Sequence, residues 1–141
     1  MKDRIYVCHT YYHVYVTFLK ELKRRAEARE NGKEPGGATL VLSMLSNNFE
    51  NLKERVESPG LFEEVLMFDE KGEDNFPELK ELRKGGKGFL GNLWCRIRFT
   101  RRYAKLEEAY VPVNFREYKD VYVYCDSVPI GNYLNQKKNP Y

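Results

Sequence analysis

Three short runs suited to burial, at residues 4–8, 38–44 and 64–68, are separated by helix-length stretches. This alternation leaves the chain few folds to choose from. The middle run, ATLVLSM, is almost continuously apolar, the pattern of a strand covered on both faces as in a parallel sheet. Between the first two runs Thr10 is a candidate N-cap, and Tyr11 to Glu30 is predicted to be helical. Tyr11, Tyr15, Phe18, Leu22 and Ala26 step by three or four and are expected to form its apolar stripe, with His13, Thr17, Lys20 and Arg24 on the other face. Asn31, Gly32, Pro35, Gly36 and Gly37 end it. Asn48 opens a second helix through Leu52 and Val56, stopped by Ser58, Pro59 and Gly60. Strand, helix, strand, helix, strand with right-handed crossovers predicts an α/β, three-layer, Rossmann-like domain with a mostly parallel sheet.

The pattern continues less regularly. Residues 69–88 read as a charged loop with a helical turn at 77–83, and Lys84-Gly85-Gly86-Lys87-Gly88 as a flexible basic linker. A helix is expected from Phe89 to about Tyr110, with Leu90, Leu93, Trp94 and Ile97 on one stripe and Pro112 breaking it. DVYVYC at 120–125 reads as a fourth strand, and Ser127-Val128-Pro129 starts a last helix through Ile130, Tyr133 and Leu134. With 141 residues the chain has the size of one domain, expected to span 1–141. An apolar content of 42% with 32% charged residues fits a globular fold and excludes a disordered polar chain.

In an open α/β sheet, ligands bind beyond the carboxyl ends of the strands, near the point where the strand order reverses. Cys8, His9 and Thr10 stand at one such end; Cys125, Asp126 and Ser127 stand at another. A strand order of 3-2-1-4 would make these ends neighbours. The N–H groups opening the first helix can receive an anion or a carboxylate there. Cys8, His9, Thr10, His13, Asp126 and Ser127 are therefore the candidate substrate-binding residues.

Several chemistries lack their residues. No GxGxxG follows the first strand, which argues against a nicotinamide dehydrogenase. The glycine-rich 84–88 stretch has the wrong spacing for a phosphate loop, and no Ser or Thr follows its lysine. A receiver domain would need acidic residues where Cys8 and His9 stand. Cys8, His9, His13 and Cys125 form no paired ligand module, so no metal is expected. The three cysteines are read as free thiols, and with no export signal the expected location is the cytoplasm.

Net charge is only +3, which does not imply nucleic acid, yet the charge is unevenly spread. From Lys80 to Lys105 there are nine basic residues and one acid, Glu81. Together with Phe89, Leu90, Leu93 and Trp94 they make a basic amphipathic segment, with Arg96, Arg98, Arg101 and Arg102 among its cations. Such a segment suits an anionic membrane surface, a sugar chain or a phosphate, and it also suits a core-packing helix with a solvated basic face.

Ile5-Tyr6-Val7-Cys8-His9-Thr10 with its aromatic-rich helix, and Asp120-Val121-Tyr122-Val123-Tyr124 with the Ser127–Leu134 stretch, resemble the N-terminal domain of bacterial lipooligosaccharide sialyltransferases of glycosyltransferase family 52. The resemblance covers the chain as a domain outline, on short motifs. It implies the N-terminal, acceptor-side half of a GT-B type fold, in which a C-terminal half, absent from these residues, holds most of the nucleotide-sugar site. It further implies transfer of a sugar from a donor such as CMP-sialic acid to a surface glycan, at or near the inner face of a membrane. The acidic-acidic-glycine motif usual in that family does not occur, so no catalytic residue is assigned, Asp126 included, and the chain is expected to be inactive alone, with no cofactor of its own. Its expected partners are the glycan acceptor, the C-terminal domain of the same enzyme and an anionic membrane surface. A non-catalytic Rossmann-like module for a nucleotide or an anionic partner, and a membrane-surface adaptor, are the competing readings.

Overall fold

The computed structural model describes residues 2–45, 47–70, 77–106 and 113–136. The expected helical stretch at 107–110, the break at Pro112, the 71–76 part of the expected loop and the 138–141 ending lie outside the described residues. The chain forms two compact units. One comprises Met1–Asp69 with Pro112–Tyr141; the other is Glu70–Val111.

The first unit is a three-layer, Rossmann-like α/β domain. Its elements are β1 (Lys2–Cys8), α1 (Tyr11–Glu30), β2 (Ala38–Ser43), α2 (Glu50–Glu57), β3 (Glu64–Phe68), β4 (Tyr118–Val123) and α5 (Pro129–Gln136). The four strands form one sheet in the order β3-β2-β1-β4, and every pairing is parallel. Ile5 is registered between Thr39 and Val121, and Val7 between Val41 and Val123. β1 is thus a central strand, and Ile5, Tyr6, Val7 and Cys8 are all fully buried. β2 is likewise buried along its whole length, as its apolar run predicts.

Tyr6, Leu40, Leu42 and Val65 meet Val14, Phe49, Val56, Leu61 and Phe62 in the main apolar cluster. Beyond β4, Ile130 and Leu134 of α5 are fully buried, and Tyr133 approaches Phe115. Thr10 caps α1 as expected: its backbone is extended, and its hydroxyl accepts from the His13 amide at 3.2 Å.

α1 departs from the expected facing. Its buried residues are Val14, Thr17 and Glu21, while Tyr11, Tyr15 and Leu22 are more than half exposed. The reason is a polar network under the helix. Arg4 of β1 donates to Glu21 through Nε at 2.6 Å and Nη2 at 2.7 Å, and the Tyr6 hydroxyl donates to the same carboxylate at 2.6 Å. A two-pronged guanidinium–carboxylate pair satisfies both charges away from water and turns Glu21, with Thr17 one turn before it, inward. Tyr6 stacks on Tyr122 with ring centroids 4.8 Å apart, and Arg24 donates to the Tyr122 hydroxyl.

The second unit is a helical hairpin of α3 (Pro77–Arg83) and α4 (Gly88–Leu106). The 84–88 glycines are a tight turn rather than a flexible linker. Gly85 and Gly88 have φ of 80° and 76°, a region that disfavours side chains. A Cβ on Gly86 would fall 2.8 Å from the Gly91 carbonyl, so the turn folds directly onto the first turns of α4.

Candidate functional site

The observed strand order makes the carboxyl ends of β1 and β4 neighbours. From β1 the chain steps outward to β2 and β3, then returns to the other side of β1, so the order reverses between β1 and β4. In open α/β sheets ligands bind beyond the carboxyl ends of the strands at such a reversal.

His9, Thr10 and His13 come together at this edge. The His9 amide donates to His13 Nδ1 at 3.3 Å, and the His13 amide donates to Thr10. With Nδ1 accepting, the neutral imidazole carries its proton on Nε2. Burial, and then the nearby His9, lower the His13 pKa below its usual value, which favours that neutral form. The His13 ring stacks on Tyr124, with centroids 5.0 Å apart and planes 17° apart. Tyr124 follows the last residue of β4, so this stack ties the two strand ends together. Its hydroxyl meets Thr17 Oγ1 at 2.8 Å. Lys20 lies over the Tyr122 and Tyr124 rings at 4.8 and 5.4 Å.

His9 itself is buried, and its carbonyl accepts from Asn47 Nδ2 at 2.9 Å. The Tyr11 hydroxyl donates to the Asn48 carbonyl at 3.2 Å. These two bonds fix the loop after β2 against the opening of α1. Cys8 is set apart from the edge. Its thiol is fully buried, lies 3.3 Å from Thr17 Oγ1 and is pushed up to about 12 by burial. A thiol so placed is neither a nucleophile nor a ligand contact.

Asp126 and Ser127 are exposed in the loop between β4 and α5. Ser127 Oγ lies 3.3 Å from Cys125 Sγ. The loop packs tightly on α5: a Cβ at Gly131 would fall 2.6 Å from Asp126 Cα and from the Cys125 carbonyl. Arg96, Arg98, Arg101 and Arg102 are exposed on α4, in the helical unit. Among the described residues no three His, Cys, Asp or Glu side chains are arranged to hold a metal ion.

Sequence reasoning placed the edge but missed Tyr124 and Asn47 as parts of it. The tyrosine was legible only as a strand residue, because its stack on His13 joins positions more than a hundred residues apart. No family model, no curated protein and no solved structure matches this chain. The site is consequently read from its own chemistry.

Proposed function

We propose that the β1/β4 edge binds a glycan acceptor, and that the chain is the acceptor-side, Rossmann-like domain of a sialyltransferase-like glycosyltransferase. The observation that carries this reading is the reversal of strand order between β1 and β4, with His13 stacked on Tyr124 across it. A sugar needs hydroxyl partners and a flat apolar surface for its C–H faces. The edge offers a neutral imidazole, the Thr10 and Ser127 hydroxyls and the Asp126 carboxylate. Tyr12 and Tyr15, 72% and 61% exposed, extend an aromatic surface from the same end of α1. The nucleotide sugar, CMP-sialic acid in this reading, belongs to the other half of such an enzyme. The resemblance of the residues 5–10 and 120–124 to family 52 sialyltransferases supports the same assignment.

The test is a titration of the isotope-labelled chain with neutral oligosaccharides and, separately, with CMP. Sugar-dependent shifts at the amides of His9, Thr10, His13, Tyr124 and Ser127, lost in His13→Ala, are the expected result. Shifts with CMP alone would assign the edge to nucleotide binding instead. No shift with either would overturn the site.

A further inference from the structure

α4 has two unlike faces. Among its described side chains Gly91, Cys95 and Phe99, spaced by four, are half-buried, and Gly91 lies against Gly86 of the preceding turn. On other faces of the helix Phe89, Leu90, Leu93, Trp94 and Ile97 are exposed, Phe89 and Leu90 by 82% and 78%. Five large apolar side chains at i, i+1, i+4, i+5 and i+8 form a stripe too coherent for scattered surface hydrophobics. Arg96, Arg98 and Arg101 are exposed around it, and the Arg98 guanidinium lies 4.4 Å from the Trp94 ring centroid. Residues 82–106 contain eight Lys and Arg and no acid.

We propose that α4 is an interfacial anchor that lays this stripe into the surface of an anionic lipid bilayer. The inference is independent of the glycan reading and concerns the helical unit alone. An apolar face with Trp and Phe, rimmed by arginines and free of carboxylates, is the composition of a helix lying in the headgroup plane. The charge selects the occupant. A second copy would bring the same positive rim against itself, and a polyanion such as nucleic acid would leave Phe89, Leu90 and Ile97 without a partner. An anionic bilayer satisfies both the charge and the apolar area. No helix among the described residues is long and apolar enough to cross a membrane, so the helix lies on the bilayer rather than through it.

Trp94 is the sole tryptophan and sits within the stripe, so its fluorescence reports directly. The full chain is mixed with vesicles of phosphatidylcholine alone, or of phosphatidylcholine with phosphatidylglycerol. The expected result is a blue shift and quenching by brominated lipid with the anionic vesicles only. The shift should weaken as salt shortens the Debye length below about 8 Å. Arg96→Gln/Arg98→Gln/Arg101→Gln should weaken partitioning by roughly one to two orders of magnitude. Phe89→Ser/Leu90→Ser should remove the shift while helical circular dichroism is kept. Absence of partitioning by the unaltered chain, or equal partitioning into neutral vesicles, would overturn the proposal whatever the variants do. A blue-shifted Trp94 without lipid in a sedimenting dimer would assign the stripe to a second copy and overturn it equally.

Discussion

Replacing Glu21 by alanine isolates the polar network that sets how α1 faces the sheet. Glu21 is fully buried and accepts three bonds, two from Arg4 and one from Tyr6, all at 2.6–2.7 Å. The alanine variant leaves the Arg4 guanidinium, only 4% exposed, with the Gly36 carbonyl at 3.3 Å as its remaining described bond. Breaking a buried pair from one side costs about 3–5 kcal/mol, because the surviving charge stays desolvated. That is a large part of the roughly 5–15 kcal/mol that holds a domain together. It corresponds to a fall in the thermal midpoint of roughly 10–20 °C. The variant Arg4→Met/Tyr6→Phe/Glu21→Met removes every partner and should recover most of the loss. The measurement is urea and thermal unfolding followed by circular dichroism. A loss below about 1 kcal/mol for Glu21→Ala, or a triple variant no better than the single one, would refute the coupling. The pH dependence has a defined sign. Burial raises the Glu21 carboxyl, but the bonds from Arg4 and Tyr6 outweigh it and hold the group below its usual value. Its contribution is fully present above the unfolded glutamate pKa of about 4.3 and is lost as pH falls through the lower folded value. Glu21→Gln should flatten that acid limb.

The remaining predictions concern single residues. In native protein Cys8 should resist a thiol reagent that modifies the half-exposed Cys95 and Cys125, and all three should react after denaturation. Thr10→Ala should cost about 1 kcal/mol, read by urea unfolding, through the loss of the α1 cap. Gly131→Ala should destabilise by about 1–3 kcal/mol, since its Cβ would meet backbone rather than a movable side chain. Wild-type stability in that variant would mean that the loop at Asp126 yields. The His13 ring should titrate below the usual histidine range in a proton NMR series, and a value at or above that range would remove the argument for its neutral form.

Much of the fold was legible because its signals are local. The apolar run of β2, the Thr10 cap and the glycines after α1 act within a few residues, and α1 has the bounds its sequence predicts. The facing of α1 was not legible, since a periodic pattern records which residues are apolar and not which face finds a partner. Tyr11, Tyr15 and Leu22 resemble a core stripe, yet the sheet presents Arg4 and Tyr6 to the helix, and Glu21 answers them. An arginine inside a strand buried on both faces was the available clue, as such a charge requires a carboxylate nearby. At the edge, His9, Thr10 and His13 follow from chain position alone. The Tyr124 stack depends on register between β1 and β4, which no local pattern encodes.

The pairing of Lys2 with Tyr118 joins two strands across 116 positions of chain. Contacts of such separation form late in folding, because the intervening chain must be confined before they return any energy. The cost of that confinement grows only with the logarithm of length. Omitting the helical unit, Glu70–Val111, would reduce the closure cost by merely about 0.4 kcal/mol. By this measure the sheet is almost indifferent to what the chain carries between β3 and β4. The position can hold an elaborate insertion, exchange it or lengthen it at little thermodynamic expense. What changes is the order of assembly: β1, β2 and β3 can pair while β4 is still unmade, and β4 then completes the β1/β4 edge in a closing step that its own register must guide.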